Sequence, residues 1–114
     1  GDGAQRRDFD YVDDVVDAFL RAGASEASNG QVFNLGGGAP ISLLHLAHDL
    51  VRLSGKSEIK VVPFPEERKK IDIGDFYSDA RKIEGVLGWK STTTLTDGLT
   101  RTIDYYLQHK DRYL

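Results

Sequence analysis

The sequence contains no cysteine, which excludes disulfide scaffolds, thiolate metal sites and cysteine nucleophiles. A cysteine-free chain is compatible with a reducing, cytoplasmic setting. Methionine is also absent, and the chain opens on Gly1-Asp2-Gly3. That turn-like stretch is suited to joining two elements, so the beginning reads as the middle of something longer. No apolar run approaches a membrane span or a signal-peptide core, and the chain is expected to be soluble. Basic residues are outnumbered, 15 Lys and Arg against 18 Asp and Glu, for a net charge of -3. An acidic balance gives no footprint for a nucleic-acid backbone or an anionic membrane surface, and neither partner is expected. What remains is ordinary: 114 residues, 39% hydrophobic and 29% charged, specify one domain with a modest core.

Phe9 and Tyr11 alternate with Asp8 and Asp10, which predicts a short half-buried strand from Arg7 to Val12. Val12, Val15, Val16, Phe19 and Leu20 then follow the spacing of one helical face, with Asp13 or Asp14 placed to cap its start. Gln31 to Leu35 reads as a strand running into Gly36-Gly37-Gly38. After Pro40, Ser42 is placed to cap a helix whose buried stripe is Leu43, Leu46, Ala47 and Leu50, ending at Gly55. Ile59 to Phe64 is β-branched and apolar, so residues 31–64 predict a strand, a helix and a parallel strand. Pro63 and Pro65 bound a charged surface stretch, Glu66-Glu67-Arg68-Lys69-Lys70. A short helix from about Asp79 ends at Gly88, just before Trp89. Thr94-x-x-Asp97 is a capping box for a last helix with Leu95, Leu99, Ile103, Tyr106 and Leu107 facing inward. The expected fold class is mixed α/β, a small few-stranded sheet with about four helices in a single unit over residues 1–114.

Two basic clusters, Arg6-Arg7 and Arg68-Lys69-Lys70, stand out in an acidic chain. Together they could clamp a diphosphate, which guanidinium groups hold through paired, charge-assisted hydrogen bonds; solvated surface charge is the alternative. The glycine run is an incomplete dinucleotide fingerprint, because Ile41 stands where the third glycine belongs; it reads as a turn into the Ser42 helix. Tyr106-x-x-x-Lys110 has the bare spacing of a catalytic Tyr/Lys pair, yet it sits at the end of the terminal helix, where packing and the helix dipole account for both residues. His45 and His48 lack a third ligand beyond the adjacent Asp49 and read as surface histidines, so no metal site is expected. Asp13, Asp14 and Asp17 suit a helix N-terminus better than paired-carboxylate chemistry.

Taken together, Gly1-Asp2-Gly3-Ala4-Gln5-Arg6-Arg7-Asp8-Phe9-Asp10-Tyr11-Val12-Asp13-Asp14-Val15 resembles the stretch that opens the C-terminal region of extended short-chain dehydrogenases/reductases, the NAD-dependent nucleotide-sugar epimerases and dehydratases. Val32-Phe33-Asn34-Leu35-Gly36, Asp79 through Leu87-Gly88-Trp89 and Leu95-x-x-Gly98-Leu99 resemble that family's next strand and closing helices. The resemblance implies a substrate-binding lobe that closes over a nucleotide diphosphate sugar, with NAD(P) held by an N-terminal Rossmann domain that these residues do not contain. It further implies that Arg7 contacts substrate phosphate, Gln5 makes a nearby polar contact, Arg68 or Lys69 is the second phosphate ligand, and Asp72 binds the nucleotide ribose. Asp14, Asn34 and Trp89 take structural roles. The family's glycine fingerprint, its catalytic Tyr/Lys pair in the expected place and the accompanying Ser/Thr are not found here. The expected function is therefore nucleotide-sugar binding within an epimerase, dehydratase or decarboxylase, with no catalytic residue or bound cofactor in this chain alone. The alternatives are a stand-alone nucleotide-sugar-binding module and a domain that self-associates through the face a Rossmann domain covers in the family.

Overall fold

The computed structural model describes residues 1–113. In chain order the elements are β1 (Arg6–Arg7), α1 (Val12–Ala24), β2 (Ile41–Ser42), α2 (Leu43–Ser54), α3 (Glu66–Lys69), α4 (Arg81–Leu87) and α5 (Leu95–Gln108), with short 3-10 turns at Glu26–Ser28 and Lys110–Arg112. The architecture is mixed α/β, with five α-helices where the sequence predicts about four. The additional one, α3, is a single turn over the charged stretch.

The helix ends follow local chemistry. Ser42 accepts a hydrogen bond from the His45 N–H at 3.1 Å to open α2, and Thr94 accepts one from the Asp97 N–H at 3.2 Å to open α5. Gly55 and Gly88 close α2 and α4 at φ 67° and 63°, a left-handed conformation that costs other residues a clash at Cβ. α1 departs from expectation. Tyr11 precedes it with no side-chain cap, and Asp14 turns away from the helix start toward the loop after Trp89.

The sheet is smaller than the periodicity predicts. β1 pairs antiparallel with β2, Arg6 opposite Ser42 and Arg7 opposite Ile41, and Arg7 forms one parallel bridge to Phe76. The expected strands over residues 31–35 and 59–64 do not form, nor does the parallel crossover between them. A strand is fixed by its neighbours more than by its own propensity. Residues 32–35 keep the alternation, Phe33 and Leu35 packing inward while Val32 faces out, but no ladder partner lies beside them. The Val32 carbonyl is taken instead by Lys82 Nζ at 2.8 Å.

The core is small. Ala18, Ile83 and Trp89 are buried, with Phe33, Leu35, Ala80 and Leu87 packed around them. The inward face of α1 carries Asp14 and Ala18, whereas Val12, Val16, Phe19 and Leu20 face solvent, Phe19 at 73% exposure. Tyr106 and Leu107, expected inside, are also exposed at the end of α5. The radius of gyration is 16.9 Å, against about 13 Å for a compact chain of this length. The accessible area is 8641 Å², against roughly 6,200 Å² for a compact monomer of this mass. No described helix is long and apolar enough to cross a membrane.

Candidate functional site

Residues 5–8 form a central rail. On one side the Leu43 N–H donates to the Gln5 carbonyl at 3.0 Å, and Arg6 Nη2 donates to the Pro40 carbonyl at 2.9 Å. On the other side every successive residue engages the segment 72–78. Gln5 Nε2 donates to Asp72 Oδ2 at 3.1 Å. The Arg6 N–H donates to Asp75 Oδ1 at 2.8 Å, and the Phe76 N–H to the Arg6 carbonyl at 3.1 Å. Arg7 Nη1 donates to the Gly74 carbonyl at 2.6 Å and to the Arg6 carbonyl at 2.7 Å. Asp8 Oδ2 accepts from the Ser78 N–H at 2.9 Å. Because side chains alternate along an extended chain, this rail can bind neighbours with both its backbone and its side chains.

The arrangement brings Gln5, Arg7 and Asp72 to one edge. Arg68 and Lys69 lie on the exposed turn α3, on the same loop that leads into Asp72, and their side chains make no hydrogen bond or ion pair with another described residue. The carboxylates of Asp8, Asp72 and Asp75 are engaged by protein donors, while the basic heads on the loop remain available. Such an edge can hold an anion through the guanidinium of Arg7 and the cations of α3, and can accept a hydroxyl on the free oxygen of Asp72. Gly74 and Asp75 belong to this edge, and neither stands out as a motif in the sequence. The Gly-Asp pair just before Phe76-Tyr77 is the signal: a left-handed glycine, φ 65°, followed by a carboxylate that caps a neighbouring N–H.

The glycine run packs tightly at two of its three positions. A Cβ on Gly36 would lie 2.8 Å from Asp8 Oδ2, and one on Gly37 would collide with Asp10 Oδ1 and the Phe9 carbonyl. At these two positions the backbone packs against protein beside the carboxylates of Asp8 and Asp10, so glycine here serves close packing. Tyr106 ends up beside Tyr113, edge to face at 5.1 Å, and Lys110 lies beyond the helix in the final 3-10 turn. His45 Nε2 sits 3.4 Å from Asp49 Oδ2, and Asp49 Oδ1 pairs with Arg52. Among the described residues no three His, Cys, Asp or Glu side chains are grouped to hold a metal ion.

Two carboxylates that follow the rail in sequence are shifted in opposite directions. Burial, then the neighbouring Asp8 and Asp14, push the Asp10 carboxyl above its ordinary range, and its Oδ1 has no hydrogen-bond partner among the described residues. Asp14, 7% exposed, is pushed up by burial but held lower overall by donors from Thr93, Thr92 and Ser91. Its Oδ2 accepts the Thr93 N–H at 2.8 Å, the Thr92 N–H at 3.1 Å and Ser91 Oγ at 3.1 Å, and Oδ1 accepts Thr92 Oγ1 at 3.0 Å. Its backbone carbonyl accepts Trp89 Nε1 at 2.8 Å. The helix α1, the Trp89 plug and the entry to α5 are thus tied at one residue.

A family model described as GDP-mannose 4,6 dehydratase matches residues 1–102. The UDP-glucose 4-epimerase of Mycolicibacterium smegmatis is 35% identical over 109 residues, covering 93% of this chain and 33% of that protein. Among solved structures, the UDP-glucose 4-epimerase of Thermotoga maritima with UDP-glucose is 33% identical and superposes with a TM-score of 0.82, over 96% of this chain and 34% of that one. The UDP-glucuronic acid 4-epimerase of Bacillus cereus in complex with NAD is also 33% identical, with a TM-score of 0.78, over 96% of this chain and 33% of that one. The chain spans about a third of the length of the relatives it matches.

Proposed function

The chain belongs to the GDP-mannose 4,6-dehydratase family, among the extended short-chain dehydrogenases, and from that premise we propose that it is the substrate-binding lobe of an NAD-dependent nucleotide-sugar epimerase or dehydratase. The observation that carries this reading is the interlock of residues 5–8 with 72–78, which collects Gln5, Arg7 and Asp72 along one edge, with the cations of α3 on the loop that leads into Asp72. In this reading Arg7 and either Arg68 or Lys69 grip the diphosphate, Gln5 adds a polar contact, and Asp72 receives a ribose hydroxyl while Gln5 fixes its other oxygen. Diphosphate charge is met by cations, and Asp8, Asp72 and Asp75 along the edge each already accept a protein donor.

The chemistry at the sugar carbon, and the NAD(P) that supplies it, we assign to a Rossmann domain rather than to these residues. The collisions at Gly36 and Gly37 support that division. So does the apolar stripe of Val12, Val16, Phe19 and Leu20, a surface suited to being covered by another domain.

Calorimetric titration of the chain with UDP and a UDP-sugar, beside Arg7→Ala and Arg68→Ala, tests the clamp. We expect binding in the wild type that weakens in both variants. Equal affinity in all three chains overturns the assignment of Arg7 and Arg68, and no binding by the wild type at high ligand concentration overturns the lobe as a binding unit by itself.

A further inference from the structure

We propose that Gly74 is a positioning residue whose carbonyl pre-orients Arg7; the inference rests on the reading of Arg7 as a phosphate ligand. A guanidinium has five N–H groups in a fixed plane, two of them on Nη1. Nη1 donates to two acceptors, the Gly74 carbonyl at 2.6 Å and the Arg6 carbonyl at 2.7 Å. The group is therefore anchored at one corner, and its plane is set by two acceptors. The edge formed by Nε and Nη2 makes no bond to a described residue and presents the parallel pair of donors that a phosphate accepts.

The Gly74 carbonyl reaches Arg7 because the chain reverses there through φ 65°. A Cβ at this position meets no atom within 4 Å, so space alone does not demand glycine. Only the left-handed conformation does, and that separates two substitutions. Alanine adopts it at a cost, whereas asparagine tolerates it better than most residues. Around this glycine the backbone is pinned on the far side by Asp75, through the Arg6 N–H, and by Phe76, through the Arg6 carbonyl. A shift at residue 74 consequently moves the carbonyl rather than the whole segment.

Immobilising a long side chain before binding removes an ordering cost worth on the order of 3- to 10-fold in affinity. UDP affinity is measured by calorimetry for the wild type, Gly74→Ala, Gly74→Asn, Arg7→Ala and the Arg7→Ala/Gly74→Ala double variant, while nitrogen-detected NMR of the Arg7 guanidinium reports its rotation without ligand. We expect Gly74→Ala to weaken UDP binding by on the order of 3- to 10-fold, Gly74→Asn to recover most of it, and Gly74→Ala to add nothing once Arg7 is gone. Unchanged affinity in Gly74→Ala, an equal loss in both Gly74 variants, or an equal loss with and without Arg7 each overturns the proposal. If the wild type does not bind UDP, the clamp reading falls, and the NMR decides the tether by itself. Slow rotation in the wild type that speeds up in Gly74→Ala retains it; rapid rotation in both removes it.

Discussion

Replacing Asp14 by alanine is expected to destabilise the chain by about 3 kcal/mol, more than any loss at an exposed charge. The carboxylate is 7% exposed and accepts two backbone N–H groups and two hydroxyls from Ser91, Thr92 and Thr93. A single hydrogen bond to a charged acceptor contributes about 1.5–3 kcal/mol net. The four do not add, because the hydroxyls can rotate to water and the donors share one acceptor group. Alanine leaves the Thr92 and Thr93 N–H groups without an acceptor, and with them the loop that delivers Thr94 to the start of α5. Asparagine keeps one acceptor oxygen but turns an amide toward a donor, for a loss of about 2 kcal/mol. With a urea m-value of about 1.2 kcal/mol per molar, alanine lowers the unfolding midpoint by roughly 2–3 M.

The same contacts fix the sign of the pH dependence. The folded carboxyl titrates below its ordinary 3.8, so its stabilisation is present above that pH and is lost as pH falls through the depressed folded value. Urea unfolding at pH 7 and at steps below pH 4 should show wild type and Asp14→Asn converging under acid. Variants within about 0.5 kcal/mol of wild type at pH 7, or a gap that widens in acid, refute the account of Asp14 as a charged hub.

Trp89→Phe should lower stability by about 2 kcal/mol, because it removes a donor to the Asp14 carbonyl and some bulk from a site only 1% exposed; thermal unfolding by circular dichroism reads this. Gly37→Ala should cost about 2–3 kcal/mol in the same assay, since its Cβ meets the Phe9 carbonyl and Asp10 Oδ1, and backbone cannot step aside. Asp10→Asn should raise the melting temperature at pH 7. Burial first, then Asp8 and Asp14, raise the Asp10 folded pKa above 3.8, so whatever stability its carboxyl contributes is present below 3.8 and lost as pH rises through the folded value. The advantage of the variant should accordingly vanish below pH 3.8, and an advantage that persists there overturns the assignment.

Local signals were legible in the sequence wherever a few neighbouring residues decide the outcome. Ser42 and Thr94 cap the helices that they precede, and Gly55 and Gly88 stop the helices that they follow. Where the outcome depends on a distant neighbour, the sequence misled. The alternation over 32–35 survives as a pattern of burial, but a strand also needs a second chain segment at hydrogen-bonding distance, and none comes. Asp14 sits in the first turn of α1, where an acid ordinarily serves the helix start. Its real partners are seventy-odd residues away, at Ser91 to Thr93, and nothing local announces them. Arg7 stood out within a basic cluster of an acidic chain, whereas Gln5 and Asp72 entered through a family resemblance, and spacing could not have joined them to it. Gly74 and Asp75, which hold that edge in place, were hidden because a glycine and an aspartate in a charged loop look like any turn.

The helix α1 shows that the periodicity of an amphipathic segment predicts a face without saying what covers it. Two stripes run along it at helical spacing: Asp14, Val15, Ala18 and Ala22, small enough for close approach to the Trp89 layer, and Val12, Val16, Phe19 and Leu20, large and exposed. The larger stripe dominates any hydrophobicity pattern, yet the smaller one packs within this lobe. An apolar stripe of that size is stabilised when covered, and it fits the excess of accessible area over a compact monomer. The edge of Gln5, Arg7 and Asp72 has no such dependence. Its geometry is fixed by hydrogen bonds between residues 3–8, 40–44 and 72–78, all within the chain. Covering the stripe of α1 therefore need not reshape the edge, and a UDP titration of the chain alone tests the edge's own chemistry.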